Sequence, residues 1–248
     1  YPDFVAELEQ ASGLQVDYRD EGTLMVALDA DDARNLDHVH NYRLSLGLRA
    51  EKLDAAQVRE LEPGLAPTVH SALHVPSDHQ VDPLLLTRAL AEAFKRAGGR
   101  LIENCPIQRV LTGDSGVEGI VTAAGQKVVC EGLLVASGAW TRALEGLPAG
   151  ALPRIRPVRG QMLSVALGDP ALCRPVIRAP DAYLVPKTDG RLIIGGTMEE
   201  RGFDDQPTAG GIFELLRGAW ETIPGIYDQH LLDTWVGFRP VSLDNRPV

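Results

Sequence analysis

Three cysteines in 248 residues, Cys105, Cys130 and Cys173, stand far apart and none shares a C-x-x-C spacing. That excludes a disulfide framework and a cysteine zinc site, and the odd count predicts free thiols in a reducing, cytoplasmic compartment. A catalytic thiol would need a histidine or cation beside it, so the three read as small buried apolar residues. Aromatic residues make up only 5% of the chain. No apolar run approaches the roughly 20 residues of a membrane helix, and no signal-peptide pattern opens the sequence. Positive charge is also in deficit: 24 Lys and Arg face 34 Asp and Glu, a formal net charge of −10. Nucleic acid and anionic membrane surfaces, which attract basic patches, are therefore not expected partners. The six histidines are scattered. His38 and His40 sit i,i+2 on an expected helix and diverge, and His70 and His74 would face one way only in a helix, so no metal site is expected. Walker A and G-x-S-x-G elements are missing, and so is the G-x-G-x-x-G turn that cradles a dinucleotide pyrophosphate.

What is present is an ordinary globular composition, 44% hydrophobic and 23% charged, with 25 Gly and 17 Pro to punctuate it. A helix is expected from Asp3 to Ala11, another from Ala30 to Gly47, and a short one over Leu53–Glu60 capped by Asp54. Val69–Val75 reads as a strand. Asp82 followed by Pro83 opens the clearest helix, with Leu86, Leu90, Ala93, Phe94 and Ala97 on one face and Gly98-Gly99 as its stop. Strands are expected over Arg100–Asn104, Pro106–Leu111 and, as a buried one, Gly132–Ala136, with hairpins at Ser115-Gly116 and Ala124-Gly125. Arg154–Ala166 reads as a strand, and Asp189-Gly190 between Ala182–Lys187 and Arg191–Thr197 is a strong hairpin signal. The fold class is α/β, or α+β: part of a doubly wound domain plus a second domain with a mixed or antiparallel sheet. Residues 14–75 and 150–240, rich in strands and poor in crossover helices, should share one sheet larger than either segment could build.

Four segments carry chemistry. Trp235-Val236-Gly237-Phe238-Arg239-Pro240 sets a guanidinium on rigid backbone, the arrangement that holds a carboxylate in two parallel hydrogen bonds. Asp181-Ala182-Tyr183-Leu184-Val185-Pro186-Lys187 runs on to Gly190-Arg191-Leu192-Ile193-Ile194-Gly195-Gly196-Thr197-Met198. Leu134-Val135-Ala136-Ser137-Gly138-Ala139-Trp140 and Arg156-Pro157-Val158-Arg159-Gly160-Gln161 complete the set. Together and over essentially the whole chain these segments resemble the FAD-dependent glycine oxidase and D-amino-acid oxidase family, closest to the glycine oxidases of thiamine biosynthesis. Such proteins begin with the strand–glycine turn–helix that this chain lacks, so it looks like the interior of a longer protein, and alone it should hold FAD weakly or not at all.

The resemblance implies an oxidoreductase that uses FAD. A small amino-acid substrate (glycine, sarcosine or a small D-amino acid) would lose a hydride to the flavin and become an imine, and oxygen would return the flavin to its oxidised form with release of hydrogen peroxide. It implies substrate contacts at Arg239 (carboxylate), Tyr183 (hydroxyl to the same carboxylate) and Met198 (pocket wall). For the cofactor it implies Ile107, through its main chain, and Ala136, Ser137 and Gly138 at a strand end. No acid–base residue is needed, because hydride transfer asks the protein to hold, orient and exclude water. Domains implied are 1–77 and 145–240 for substrate, 78–144 for FAD, and 241–248 as a return toward the FAD domain; a homo-oligomer is compatible with the sequence. Trp140 reads as a packing residue, and the Arg159–Gln161 segment as structural with a line to the flavin ring. Asp181 stands where some relatives have a pocket histidine, and Val241-Ser242 replaces a more usual Gly-Thr; both bear on which substrate is preferred. Two alternatives stay open: a D-amino-acid or sarcosine dehydrogenase with another electron acceptor, and a non-catalytic binding domain.

Overall fold

The computed structural model describes residues 1–114 and 116–246. Ser115, half of one expected turn, lies outside them, as do Pro247 and Val248. In chain order the elements are α1 (Pro2–Ser12), β1 (Thr23–Ala27), α2 (Ala30–Ser45), β2 (Glu51–Asp54), α3 (Ala55–Leu61), β3 (Ser71–Val75), α4 (Pro83–Arg96), β4 (Ile107–Gly113), β5 (Gly116–Thr122) and β6 (Lys127–Val129). They continue with β7 (Ile155–Ala166), β8 (Val176–Arg178), β9 (Tyr183–Pro186), β10 (Arg191–Gly195), α5 (Ala209–Thr222) and β11 (Leu231–Ser242). The mixed α/β class read from the sequence is the class observed. The chain divides into two compact units, residues 1–99, 161–197 and 207–235 in the first, and 100–160, 198–206 and 236–248 in the second. β7 and β11 each continue along the chain from one unit into the other.

Helix starts follow local chemistry. Asp29, Asp54, Asp82 and Thr208 cap α2, α3, α4 and α5 by accepting hydrogen bonds from first-turn amides, which satisfies donors that the helix cannot. At α3 the cap is reciprocal, Gln57 returning a side-chain bond to the Asp54 amide. The eight-stranded sheet runs β11-β7-β10-β9-β8-β1-β3-β2. Its β1 and β8 pair in parallel, Leu24 opposite Ile177, and so join the amino-terminal strands to those beyond residue 150 in one mixed sheet. Strand alternation then gives the sheet two different faces. Leu24, Ile177, Leu184, Leu192 and Ile194 point to one side, all 0% exposed, where α3 and α5 cover them with Val58, Leu215 and Ala219. Their neighbours Thr23, Val176, Tyr183, Val185 and Ile193 point to the other side and line a cavity.

Several local expectations are corrected. Residues 100–104 and 132–136 form no strand among the described residues, and Leu134 is 90% exposed rather than buried; a lone extended segment has no ladder to complete. α4 turns a different face inward: Ala89 is buried and Leu85, Leu86 and Ala93 pack beside it against Val5, Leu8 and Val16, while Leu90 and Phe94 are exposed. That packing on α1 places α4 in the first unit, where the sequence reading grouped it with residues 78–144. α5 has no counterpart in the sequence reading, because Ala209-Gly210-Gly211 looks like a loop. In the second unit, β4, β5 and β6 form an antiparallel sheet in that order. Trp140, Phe203 and Phe238 cluster there with ring centroids 5.3 to 5.9 Å apart, which bears out packing as the role of Trp140.

Candidate active site

The cavity over the open face of the first unit's sheet has a volume of about 570 Å³. Its floor is apolar, from Met162, Val176, Val185 and Ile193, with Trp235 of β11 at one side. Tyr183 reaches across this floor. It pairs with Gly195 on β10 and, beyond it, Gly195 pairs with Met162 on β7. A β-carbon at Gly195 would lie 2.6 Å from both the ring carbon Cζ and the hydroxyl of Tyr183. Only a residue without a side chain lets the phenol lie over the strand, and its hydroxyl reaches Met162 Sδ at 3.5 Å. The ring is thus aimed by backbone pairing, not by a flexible loop.

One end of the cavity is charged. Lys187 is buried, its Nζ donating to Gln80 Oε1 at 3.0 Å and lying 3.8 Å from Asp82 Oδ2. Arg191 Nη2 is 3.6 Å from the same oxygen and 2.7 Å from Asp189. Burial lowers the Lys187 pKa, and the negative charge of Asp82 opposes that. Asp82 therefore does two jobs: Oδ1 caps α4 while Oδ2 neutralises two cations. The sequence announced the cap alone. His79 lines the cavity rim as an exposed residue; its Nδ1 is bonded to the Tyr18 hydroxyl and its Nε2 to the Pro76 carbonyl. Asp181, expected to influence the pocket, instead holds Arg217 of α5 at 3.4 Å and does not line the cavity. Cys173 is buried in the main core, where burial and the nearby Glu62 charge push its thiol up to about 12. It is no nucleophile at neutral pH.

Of the residues singled out from the sequence, Tyr183 lies in the first unit, and Met198, Arg239, Ile107, Ala136, Ser137 and Gly138 lie in the second. Arg239 is half-buried on β11, and Met198 is 74% exposed. Ile107 opens β4, an outer strand of its sheet, opposite Thr122, and is 37% exposed. Ala136 and Ser137 end an irregular segment, and Gly138 follows at φ +52° with open space where a side chain would be. That accessible, small-residue backbone fits a group laid closely against it, such as part of FAD. A glycine-rich pyrophosphate turn is not among these residues. Arg159 is structural, as the sequence suggested: fully buried, it donates to Asp204 and to the Gln206 carbonyl. Gln161 likewise bonds both the amide and the hydroxyl of Thr208. Met162, Lys187, Arg191 and Arg178 went unnoticed as cavity residues; the signal for them was the alternation of β7 to β10 once the Asp189-Gly190 hairpin is paired.

Residues 2–248 match the family model described as FAD dependent oxidoreductase. The chain belongs to that family. It is 30% identical over its whole length to the hydrogen cyanide synthase subunit HcnC of Pseudomonas aeruginosa, covering 59% of that protein. It is 31% identical to a glycine oxidase of Bacillus licheniformis, again along the whole chain and covering 64% of the relative. Among solved structures, the glycine oxidase of Geobacillus kaustophilus superposes with a TM-score of 0.92 at 30% identity, over 99% of this chain and 66% of that one. The chain thus spans about three fifths of the length of these curated relatives. Among its described residues no helix is long and apolar enough to cross a membrane, and no group of three or more His, Cys, Asp or Glu could hold a metal ion.

Proposed function

We propose that this protein oxidises a small amino acid (glycine, sarcosine or a small D-amino acid) to the imine, with oxygen reduced to hydrogen peroxide. The observation that carries the reading is Tyr183, a phenol laid over Gly195 on the apolar floor of an open cavity. Bound FAD would supply the acceptor for the hydride leaving the substrate Cα. Ile107, through its main chain, and Ala136, Ser137 and Gly138 would hold the cofactor. Arg239 grips the substrate carboxylate in two charge-assisted hydrogen bonds. The Tyr183 hydroxyl donates to the same carboxylate, Met198 closes the pocket, and the apolar floor keeps water from the reacting carbon. Residues 107–138 then serve the cofactor, and the two-faced sheet of the first unit serves the substrate. Glycine oxidases with 30–31% identity along this chain support the reading.

The test uses the full-length protein with FAD bound. Arg239→Lys replaces a planar fork by a point charge, and should lower kcat/KM for glycine about ten- to hundredfold, since a hydrogen bond to a charged group is worth about 1.5–3 kcal/mol. Tyr183→Phe removes a hydroxyl but no charge and should cost less. Both variants should keep a full complement of flavin and form peroxide in proportion to substrate consumed. Wild-type kinetics in both variants on glycine, sarcosine and D-alanine would place the carboxylate grip elsewhere and overturn the substrate assignment.

A further inference from the structure

Among the described residues, Arg178 is a cavity cation whose side chain no other residue holds. It lines the cavity and is exposed, and among the described residues its side chain makes no hydrogen bond and has no carboxylate within 4.0 Å, while its backbone pairs within the sheet. The other cavity cations are held: Lys187 and Arg191 share Asp82, and Arg191 also has Asp189. The remaining cavity carboxylates do not serve Arg178 either. Asp78 lies 3.8 Å from Arg43, and Asp233 is on β11, four strands away in the sheet.

The position is also telling. β8 is an inner strand, so this guanidinium rises from the middle of a sheet face and not from its rim. Arg178 is the direct cross-strand partner of Tyr183. The Tyr183 phenol leans the other way, over Gly195 to Met162 on β7. From β8 to β7 is three strand spacings, about 14 Å, and an extended arginine covers a good part of that span. The phenol hydroxyl and the guanidinium can therefore meet opposite ends of one small molecule.

We infer that Arg178 selects the substrate by receiving a second anionic group, so that the preferred substrates are small amino acids or amines with two carboxylates. This rests on the cavity being the substrate site. A neutral-tailed substrate such as glycine leaves Arg178 to water, whereas a second carboxylate gains charge-assisted hydrogen bonds on an apolar floor.

The decisive comparison takes full-length, FAD-bound wild type, Arg178→Gln and Arg178→Lys through glycine, D-alanine, D-aspartate and iminodiacetate. In parallel, calorimetry measures the Kd of malonate and of acetate, neither of which is oxidised. Wild type should prefer the dicarboxylates. Arg178→Gln should lower their kcat/KM and weaken malonate about tenfold or more, while glycine and acetate change far less; Arg178→Lys should recover part of the loss. Equal effects on one- and two-carboxylate ligands, or none on either, would overturn the inference. If wild type oxidised none of the four amines, the amino-acid reading itself would fall, and malonate against acetate would still decide whether Arg178 binds a second carboxylate.

Discussion

Glu62 shows how one side chain can carry a cost that its neighbours only partly offset. It closes α3, is 4% exposed, and has Arg174 Nε at 3.7 Å as its charged partner. Burial raises its pKa, and the attraction of Arg174 only moderates that rise. The folded state therefore binds the Glu62 proton more tightly than the unfolded chain does. The sign follows: the contribution is favourable below the ordinary carboxylate range and is lost as pH rises through the folded value. Glu62→Gln, which keeps the shape and drops the charge, should raise Tm at about pH 8 and lose that advantage at about pH 4. A rise of about 2–4 °C is what ~1 kcal/mol produces in a chain of this size. Thermal melts of both proteins at the two pH values check this, and an unchanged or lower Tm at the higher pH would refute it. Tyr183 and Gly195 make a different point at the same scale. Their pairing follows by counting outward from the three-residue turn Thr188-Asp189-Gly190, which sets Lys187 opposite Arg191, so the tyrosine's resting place was readable once a glycine was seen to face it.

Among the elements, α5 is the least legible and the most instructive. Two glycines in its first turn weaken any helix signal, yet they differ in what they do. At Gly210 a β-carbon would meet open space. At Gly211 it would lie 2.2 Å from Gln161 Nε2, and Gln161 is 1% exposed and bonded to the Thr208 cap. The helix needs Gly211 because the buried amide that anchors its start occupies the space. Gly210→Ala should stabilise by up to ~1 kcal/mol through helix propensity and a less free unfolded chain. Gly211→Ala should destabilise by about 1–3 kcal/mol, because Gln161 cannot move without losing its bonds. Denaturant melts giving both variants the same sign would contradict this account. The caps at Asp54 and Asp82 were legible because each acts within three residues of itself. The inward face of α4 was not, since Leu90 and Ala89 are equally plausible core residues until α1 chooses between them.

At the scale of the molecule, the eight-stranded sheet is closed by the β1–β8 pairing, which brings together residues about 150 apart in sequence. Its covered face carries the largest buried apolar cluster among the described residues, and its open face is free to hold a cavity. Amide exchange should therefore show Leu24, Ile177, Leu184 and Ile194 among the slowest amides and exchanging as one block. The amides of β4–β6, in the other compact unit, should form a separate and faster block. If β1 exchanged with α1 and α4 apart from β8–β10, the parallel pairing would not be the clasp described.

Local chemistry was enough to read much of this protein from its residues: the caps at Asp54 and Asp82, the Asp-Gly hairpin, the long β7, and the expectation that the two strand-rich segments share a sheet. These depend on neighbours a few residues away, or on a period of two that the residues themselves display. The family is legible too, because its motifs lie in order along the chain. The choices that needed distant contacts were not legible: which face of α4 turns inward, whether 100–104 and 132–136 find a ladder, that Asp181 turns to Arg217, and that Asp82 neutralises Lys187 and Arg191. Arg178 belongs with these. In sequence it is one arginine among many, and it becomes a candidate for recognition because the sheet sets it beside Tyr183, in a cavity whose other cations already have partners.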